Sequence, residues 1–190
     1  MKKIILSTFF AIFSLVLVTP AFASEIDDQK LEMLNTTGEI IYQDEEITVR
    51  SFGNDTEISN VILNHPDSVS MDGSNPVIDK NNPIMYSSVN GPGGRSSIVA
   101  SNSGRSVYWS VKPATKWPYQ FNGNVALKYH SGYKRNATVG GMGALGSTLS
   151  GSVSMNKNNG GYATLTGTAY SMDWKYYKVM PGVDTSFRPN

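Results

Sequence analysis

The chain carries few groups able to make or break covalent bonds. Its 190 residues include no cysteine, so a catalytic thiol, a thiolate zinc site and a disulfide framework are all excluded. The two histidines, His65 and His130, are far apart in sequence, and neither stands at metal-ligand or triad spacing. No Gly-x-Ser-x-Gly elbow, His-Glu-x-x-His pair or phosphate-binding glycine loop occurs. A glycosidase needs two carboxyl groups, and residues 91–190 hold only Asp173 and Asp184. Asn54, Asp55, Asp67 and Asp72 offer oxygens in expected loops, but without EF-hand spacing, and read as turn residues. No enzyme, metal site or cofactor is expected.

What remains is binding chemistry, supplied by cations and aromatic rings. Residues 91–190 carry 11 Lys and Arg against those two aspartates, a net +9. Residues 24–90 carry 13 Asp and Glu against Lys30, Arg50 and Lys80, a net −10. The formal charge of +1 is therefore the residue of two opposed blocks. Such blocks attract at short range and are screened beyond about 8–10 Å at physiological salt. Residues 91–190 also hold 15 of the 18 glycines and 13 of the 16 aromatics that follow residue 23. The basic half can build an aromatic core; the acidic half, with Tyr42, Phe52 and Tyr86, can bury little.

The acidic half reads either as a solvated lead-in or as a shield over a cationic domain until secretion. Candidate binding charges are Lys128, Lys134 and Arg135, supported by Arg105, Lys112 and Lys116. Trp109, Trp117, Tyr129 and Tyr133 are the candidate rings for interfacial or sugar-stacking contact. The partner they suit is the bacterial cell envelope: anionic polymer, lipid or wall precursor. Nucleic acid is not an expected partner.

The elements that must position these residues begin with an address. Lys2 and Lys3, an apolar run from Ile4 to Val18, and Ala21-Phe22-Ala23 make residues 1–23 a secretory signal peptide, cut after Ala23. The protein is expected to be secreted and extracellular, and the short lysine-led signal looks bacterial. No later run reaches the roughly 18 apolar residues of a spanning helix, so no stable membrane span is expected. Residues 24–95 read as an acidic N-terminal segment and linker, a candidate pro-region. Within it, 24–35 makes at most one or two helical turns, 39–42 and 46–52 are short strands, and 57–63 is a third. Pro66, Pro76, Pro83 and Pro92 mark 64–95 as linker. Arg95 and Arg105 are candidate processing sites in it and just beyond.

Residues 96–190 are the expected cationic β domain. Ser106 to Lys112 is a strand, and Asn122-Gly123 between Phe121 and Val125 predicts a hairpin. Leu149, Gly151, Val153 and Met155 share one face, with Thr148, Ser150, Ser152 and Ser154 on the other. A return strand puts Ala163, Leu165, Gly167 and Ala169 on one face, and Tyr162, Thr164, Thr166, Thr168 and Tyr170 opposite. Short strands and frequent turns predict an all-β fold: a small antiparallel sandwich or barrel, preceded by an acidic, partly extended segment. The hairpin expected over 140–171 is read as core-facing in preference to pore-forming, because glycines and alanines weaken its apolar face.

The run Val125-Ala126-Leu127-Lys128-Tyr129-His130-Ser131-Gly132-Tyr133-Lys134-Arg135-Asn136-Ala137-Thr138-Val139 resembles the Tyr/His-Gly-Lys…Ala-Thr-Val run of the lactococcin-type secreted bacteriocins. Gly161-Tyr162-Ala163 and Tyr176-Tyr177 are similar to that family's closing strands, so the resemblance spans residues 107–180. It implies a small β-sandwich that kills related bacteria by engaging the cell-wall precursor at the septum. The long acidic segment has no counterpart in it. The expected function is thus that of a bacteriocin-like antimicrobial protein. The alternative is a non-toxic secreted cell-wall or carbohydrate-binding module.

Overall fold

The computed structural model describes residues 29–63 and 87–188. The expected signal peptide lies outside them, as do residues 64–86 of the expected linker, with His65, Asp67 and Asp72. The fold is an all-β antiparallel sandwich. Its strands are β1 (Glu39–Gln43), β2 (Ile47–Gly53), β3 (Ser87–Gly91), β4 (Gly94–Ala100), β5 (Ser106–Pro113), β6 (Tyr119–Tyr129), β7 (Lys134–Gly143), β8 (Leu149–Met155), β9 (Gly161–Ser171), β10 (Tyr176–Lys178) and β11 (Asp184–Phe187). The first sheet runs β1-β2-β8-β5-β4-β3; the second runs β10-β9-β6-β7, with β11 also on β9.

Alternation along the strands builds the core. Tyr119, Phe121, Val125, Leu127 and Tyr129 of β6 point inward while Gln120, Asn122 and Lys128 point out. They meet Val107, Trp109 and Val111 of β5 and Leu149, Val153 and Met155 of β8. The rings are seated over glycines. Trp109 is paired with Gly151, and a Cβ there would lie 2.8 Å from the indole and overlap the Arg50 carbonyl. Phe121 covers both Gly123 and Gly167, which face each other across β6 and β9. Tyr119 covers its partner Gly143. Across the sandwich, Trp109 and Phe121 stand 5.8 Å apart.

The central strands of the first sheet, β4, β5 and β8, are buried on both faces. Helix α1 (Thr56–Leu63) lies on its outer side, joined by the helical turns of 29–36. Leu31, Leu34, Phe52, Ile62, Val99 and Tyr108 form a second apolar cluster there. The hydroxyl of Tyr108 donates to the Leu31 carbonyl at 2.6 Å. Two serine pairs also lie here, Ser59 with Ser150 at 3.0 Å and Ser97 with Ser110 at 2.5 Å, while the buried Ser152 hydroxyl makes no hydrogen bond. In each pair one hydroxyl donates to the other, and Ser59 can also donate to the Thr148 carbonyl at 3.3 Å, which lowers the cost of burial.

Several expectations are corrected here. Residues 57–63 are helical, not a strand. Asp55 caps the helix by accepting from the backbone N–H groups of Glu57 and Ile58, and Ile58 and Ile62 fall on one helical face. Asn122-Gly123 makes no hairpin: β6 passes straight through it, paired on both sides with β7 and β9. The type I′ turn that Asn-Gly favours would need positive φ at both residues, and neither has it. β8 and β9 are not hairpin partners either, since they belong to different sheets. The serine face of β8 is buried, whereas the outer face of β9 is open.

The acidic half is also packed more deeply than its composition suggests. β2 is hydrogen-bonded between β1 and β8, and its Ile47 and Val49 are 1% and 0% exposed. The end of the expected linker is a hairpin, β3 to β4, in which Arg95 stands opposite Asn90 and Lys112. Arg95 therefore sits in a paired strand and not in a flexible link.

The ring-over-glycine packing predicts that Gly151→Ala destabilises the protein by about 1–3 kcal/mol, the usual range for overpacking a filled core. Urea unfolding would measure this, and an unchanged midpoint would show that the indole is not confined as described.

Candidate functional site

In the first sheet the helices lie over β4, β5 and β8, and edge strand β1 is exposed. Among the described residues, the outer side of the second sheet is a broad face that no helix covers. Its surface follows from strand register. Lys134, Lys128 and Tyr162 lie side by side across β7, β6 and β9, followed along the strands by Asn136, Ala126 and Thr164. Thr138, Asn124 and Thr166 come next, then Asn122 and Thr168 with Lys178 of β10. Met142, Gln120, Tyr170 and Tyr176 close the face. Along the 11 residues of β6 this makes a surface about 33 Å long, at roughly 3.3 Å per residue.

Lysines outnumber carboxylates on it. Asp184, opposite Thr164 in β11, is the one acidic residue in these rows. It is half-buried, and that burial raises its pKa.

Beyond the last row the face ends in an aromatic tip. The β9–β10 turn is closed by hydrogen bonds from Ser171 to the Lys175 carbonyl and from Trp174 to the Ser171 carbonyl. It is joined to the start of β6 by a bond from Met172 to the Pro118 carbonyl. Trp117, Met172 and Tyr176 are 56%, 69% and 73% exposed, and Trp174 is 97% exposed. Trp174 also has φ of 64°, in the left-handed region. Bulky residues rarely adopt that conformation. Asp173 is ion-paired with Lys175 at 3.1 Å.

The residues expected to bind are divided by this geometry. Trp109 and Tyr129 are buried in the core, because strand alternation puts them on the same inward side as Phe121 and Leu127. Tyr129 packs edge-on against Phe187 at 5.5 Å, and burial pushes its hydroxyl up to about 12. Lys128 and Lys134 are exposed and directly opposed across β6 and β7. Trp117 is exposed at the far end of β6.

Tyr133 and Arg135 are held internally by the turn between β1 and β2. Arg135 pairs with Asp44 and donates to the Tyr42 hydroxyl at 3.1 Å. The Tyr133 hydroxyl donates to Glu46 at 2.6 Å, and Lys157 pairs with the same carboxylate at 2.6 Å. The Lys157 ammonium also lies 3.7 Å from the centre of the Tyr133 ring, a cation–π arrangement. The two charge blocks thus meet in a local clamp, and Arg135 is spent on it.

Sequence reasoning missed Tyr162, Tyr170, Tyr176, Lys178 and Trp174 as surface groups. The signal for the first two was present, since Tyr162 to Tyr170 alternate with small apolar residues. Their neighbours could not be read, because β9 lies beside β6 and not beside β8. No helix among the described residues is long and apolar enough to cross a membrane. No family model matches the chain, and no curated protein matches its sequence.

The clamp has a pH signature. The carboxyl of Asp44 is held down at about 2, chiefly by the Ile47 backbone N–H and then by the Tyr42 hydroxyl, the Glu46 N–H and Arg135. A carboxylate depressed by folding stabilises the fold above its unfolded value near 3.8 and loses that contribution as pH falls through 2. Asp44→Asn should therefore flatten the fall in melting temperature between pH 4 and 2. Equal slopes in the variant and the parent protein would remove Asp44 from the account of acid stability.

Proposed function

We propose that this is a secreted bacterial protein that attaches to the bacterial cell envelope and acts there as a bacteriocin-like antimicrobial. The observation that carries the reading is the bare outer face of the second sheet, with its lysines, tyrosines, amides and hydroxyls. The outer face of the first sheet is covered by helices over its central strands. Lysines attract an anionic surface over a Debye length, about 8 Å at physiological salt. The aromatic tip then supplies contact area with little rotamer freedom to lose.

Trp174 adds support. Holding a bulky residue in the left-handed region costs on the order of 1–3 kcal/mol, and a side chain 97% exposed recovers nothing from the core. The resemblance of residues 107–180 to lactococcin-type bacteriocins falls on the same surface, since Lys128, Lys134 and Tyr162 all lie within it.

A second reading is a non-toxic secreted wall- or carbohydrate-binding module. One observation favours it: β2 is built into the first sheet, which suits an acidic half kept as part of the protein.

Sedimentation with intact bacterial cells, followed by a growth assay on the same cells, tests both. The expected result is co-sedimentation at low salt, reduced on the order of tenfold in a Trp117→Ala, Trp174→Ala double variant, as for loss of aromatic anchors. Protein that stays in the supernatant would end the envelope reading. Attachment without growth inhibition would select the module.

A further inference from the structure

The open face has two similar ends and a polar middle, and from this we infer that its ligand is a linear acidic polysaccharide lying along β6. The inference rests on the reading of this face as an attachment surface and specifies what it grips.

At one end Lys128 and Lys134 are directly opposed. Like charges in that position destabilise an antiparallel pair, and among the described residues neither lysine has a carboxylate partner. An anion bridging them relieves the repulsion. Tyr162 stands beside Lys128 in β9, 42% exposed, with its ring set edge-on to His130 at 5.4 Å. A cation pair thus adjoins an aromatic ring, one suited to a carboxylate and the other to the apolar face of a sugar.

The opposite end repeats the combination. Lys178 is in register with Thr168, which faces Asn122, six residues before Lys128 on β6. The two cationic positions are therefore about 20 Å apart, at roughly 3.3 Å per residue. Tyr170 and Tyr176, paired with each other just beyond Lys178, supply the second aromatic element.

Between the ends lie Asn124, Thr138, Thr164 and Thr166, whose amide and hydroxyl groups match sugar hydroxyls. These short polar side chains give lipid tails nothing to enter. Charges about 20 Å apart also exceed the reach of a compact head group. A chain with anionic groups at intervals meets both ends at once. Asp184, half-buried at the β11 edge, leaves the rows with a surplus of positive charge.

The test is isothermal titration of the full protein with hexagalacturonate, which carries a carboxylate on every sugar. Uncharged cellohexaose and anionic phosphatidylglycerol vesicles serve as comparisons. Hexagalacturonate is expected to bind, cellohexaose at least about tenfold more weakly, in keeping with the loss of charge-assisted contacts. Lys134→Glu should weaken the uronate by about tenfold or more. It replaces a like-charge pair by an opposite one, so its melting temperature should stay level or rise, separating loss of binding from loss of fold.

Equal affinity for the neutral hexamer, an unaffected Lys134→Glu variant, or tighter binding to vesicles would each overturn the inference. Protein that sediments with cells yet ignores hexagalacturonate would overturn it while leaving the envelope reading intact.

Discussion

The sandwich rests on aromatic rings lodged where the facing strand has no side chain. Trp109 over Gly151, Tyr119 over Gly143, and Phe121 over Gly123 and Gly167 fill the space between two sheets otherwise lined by valine, alanine and leucine. Each ring fixes register, because a one-residue slip would put a Cβ beneath it and turn every inward residue outward. Trp109 belongs to the first sheet and Phe121 to the second, so their contact relates the two registers to each other. The open outer face inherits its order from this inner one. Lys128 and Lys134 face each other because Tyr119, further along the same strand, is seated over Gly143 and so holds β6 and β7 in one pairing.

Charge segregation along the chain has a narrow structural outcome. Among the described residues the acidic block packs broadly on the basic one through apolar and backbone contacts. Charged side chains of the two meet at the β1–β2 turn, where Asp44 and Glu46 hold Arg135, Tyr133 and Lys157. Exposed ion pairs of this kind contribute little individually. Their effect is to pin the edge of the first sheet to the end of the second. The lysines left outside the clamp, Lys128, Lys134 and Lys178, are the ones that give the open face its sign. A count of cations by sequence position could not make that distinction, because Lys134 and Arg135 are neighbours in the chain and on opposite faces of β7.

The fold class and the inward residues of β8 and β9 were legible in the sequence because period-two alternation is a local property. Which strand lies beside which was not. Thr164, Thr166 and Tyr170 alternate in the same way whether β9 adjoins β8 or β6, and only the contacts between distant segments decide. The strand expected at 57–63 shows the same limit from another side. Ile58, Val61 and Ile62 suit a helix, and Asp55 suits its cap, but eight residues are too few for periodicity to outweigh β-branched composition. The burial of the β8 serines was not legible, because nothing in a run of Ser and Gly reveals that a helix lies over it. The tryptophans divide similarly: Trp109 sits within an alternating strand and Trp117 in a turn, a distinction that predicts which is buried more reliably than residue type.

The insertion of β2 between β1 and β8 imposes an order in time. Residues 47–53 leave the ribosome roughly one hundred positions ahead of their partners at 149–155. Until then Ile47 and Val49 have no second strand to close against, and the first sheet remains two separate pieces, β1–β2 and β3–β4–β5. Non-local pairing of this kind slows folding, since the intervening chain must surrender its freedom before any contact rewards it. The net −10 of residues 24–90 favours keeping such incomplete chains apart during that interval. This negative charge acts first as a solubilising agent on an incomplete molecule and only afterwards, through Asp44 and Glu46, as a structural clasp.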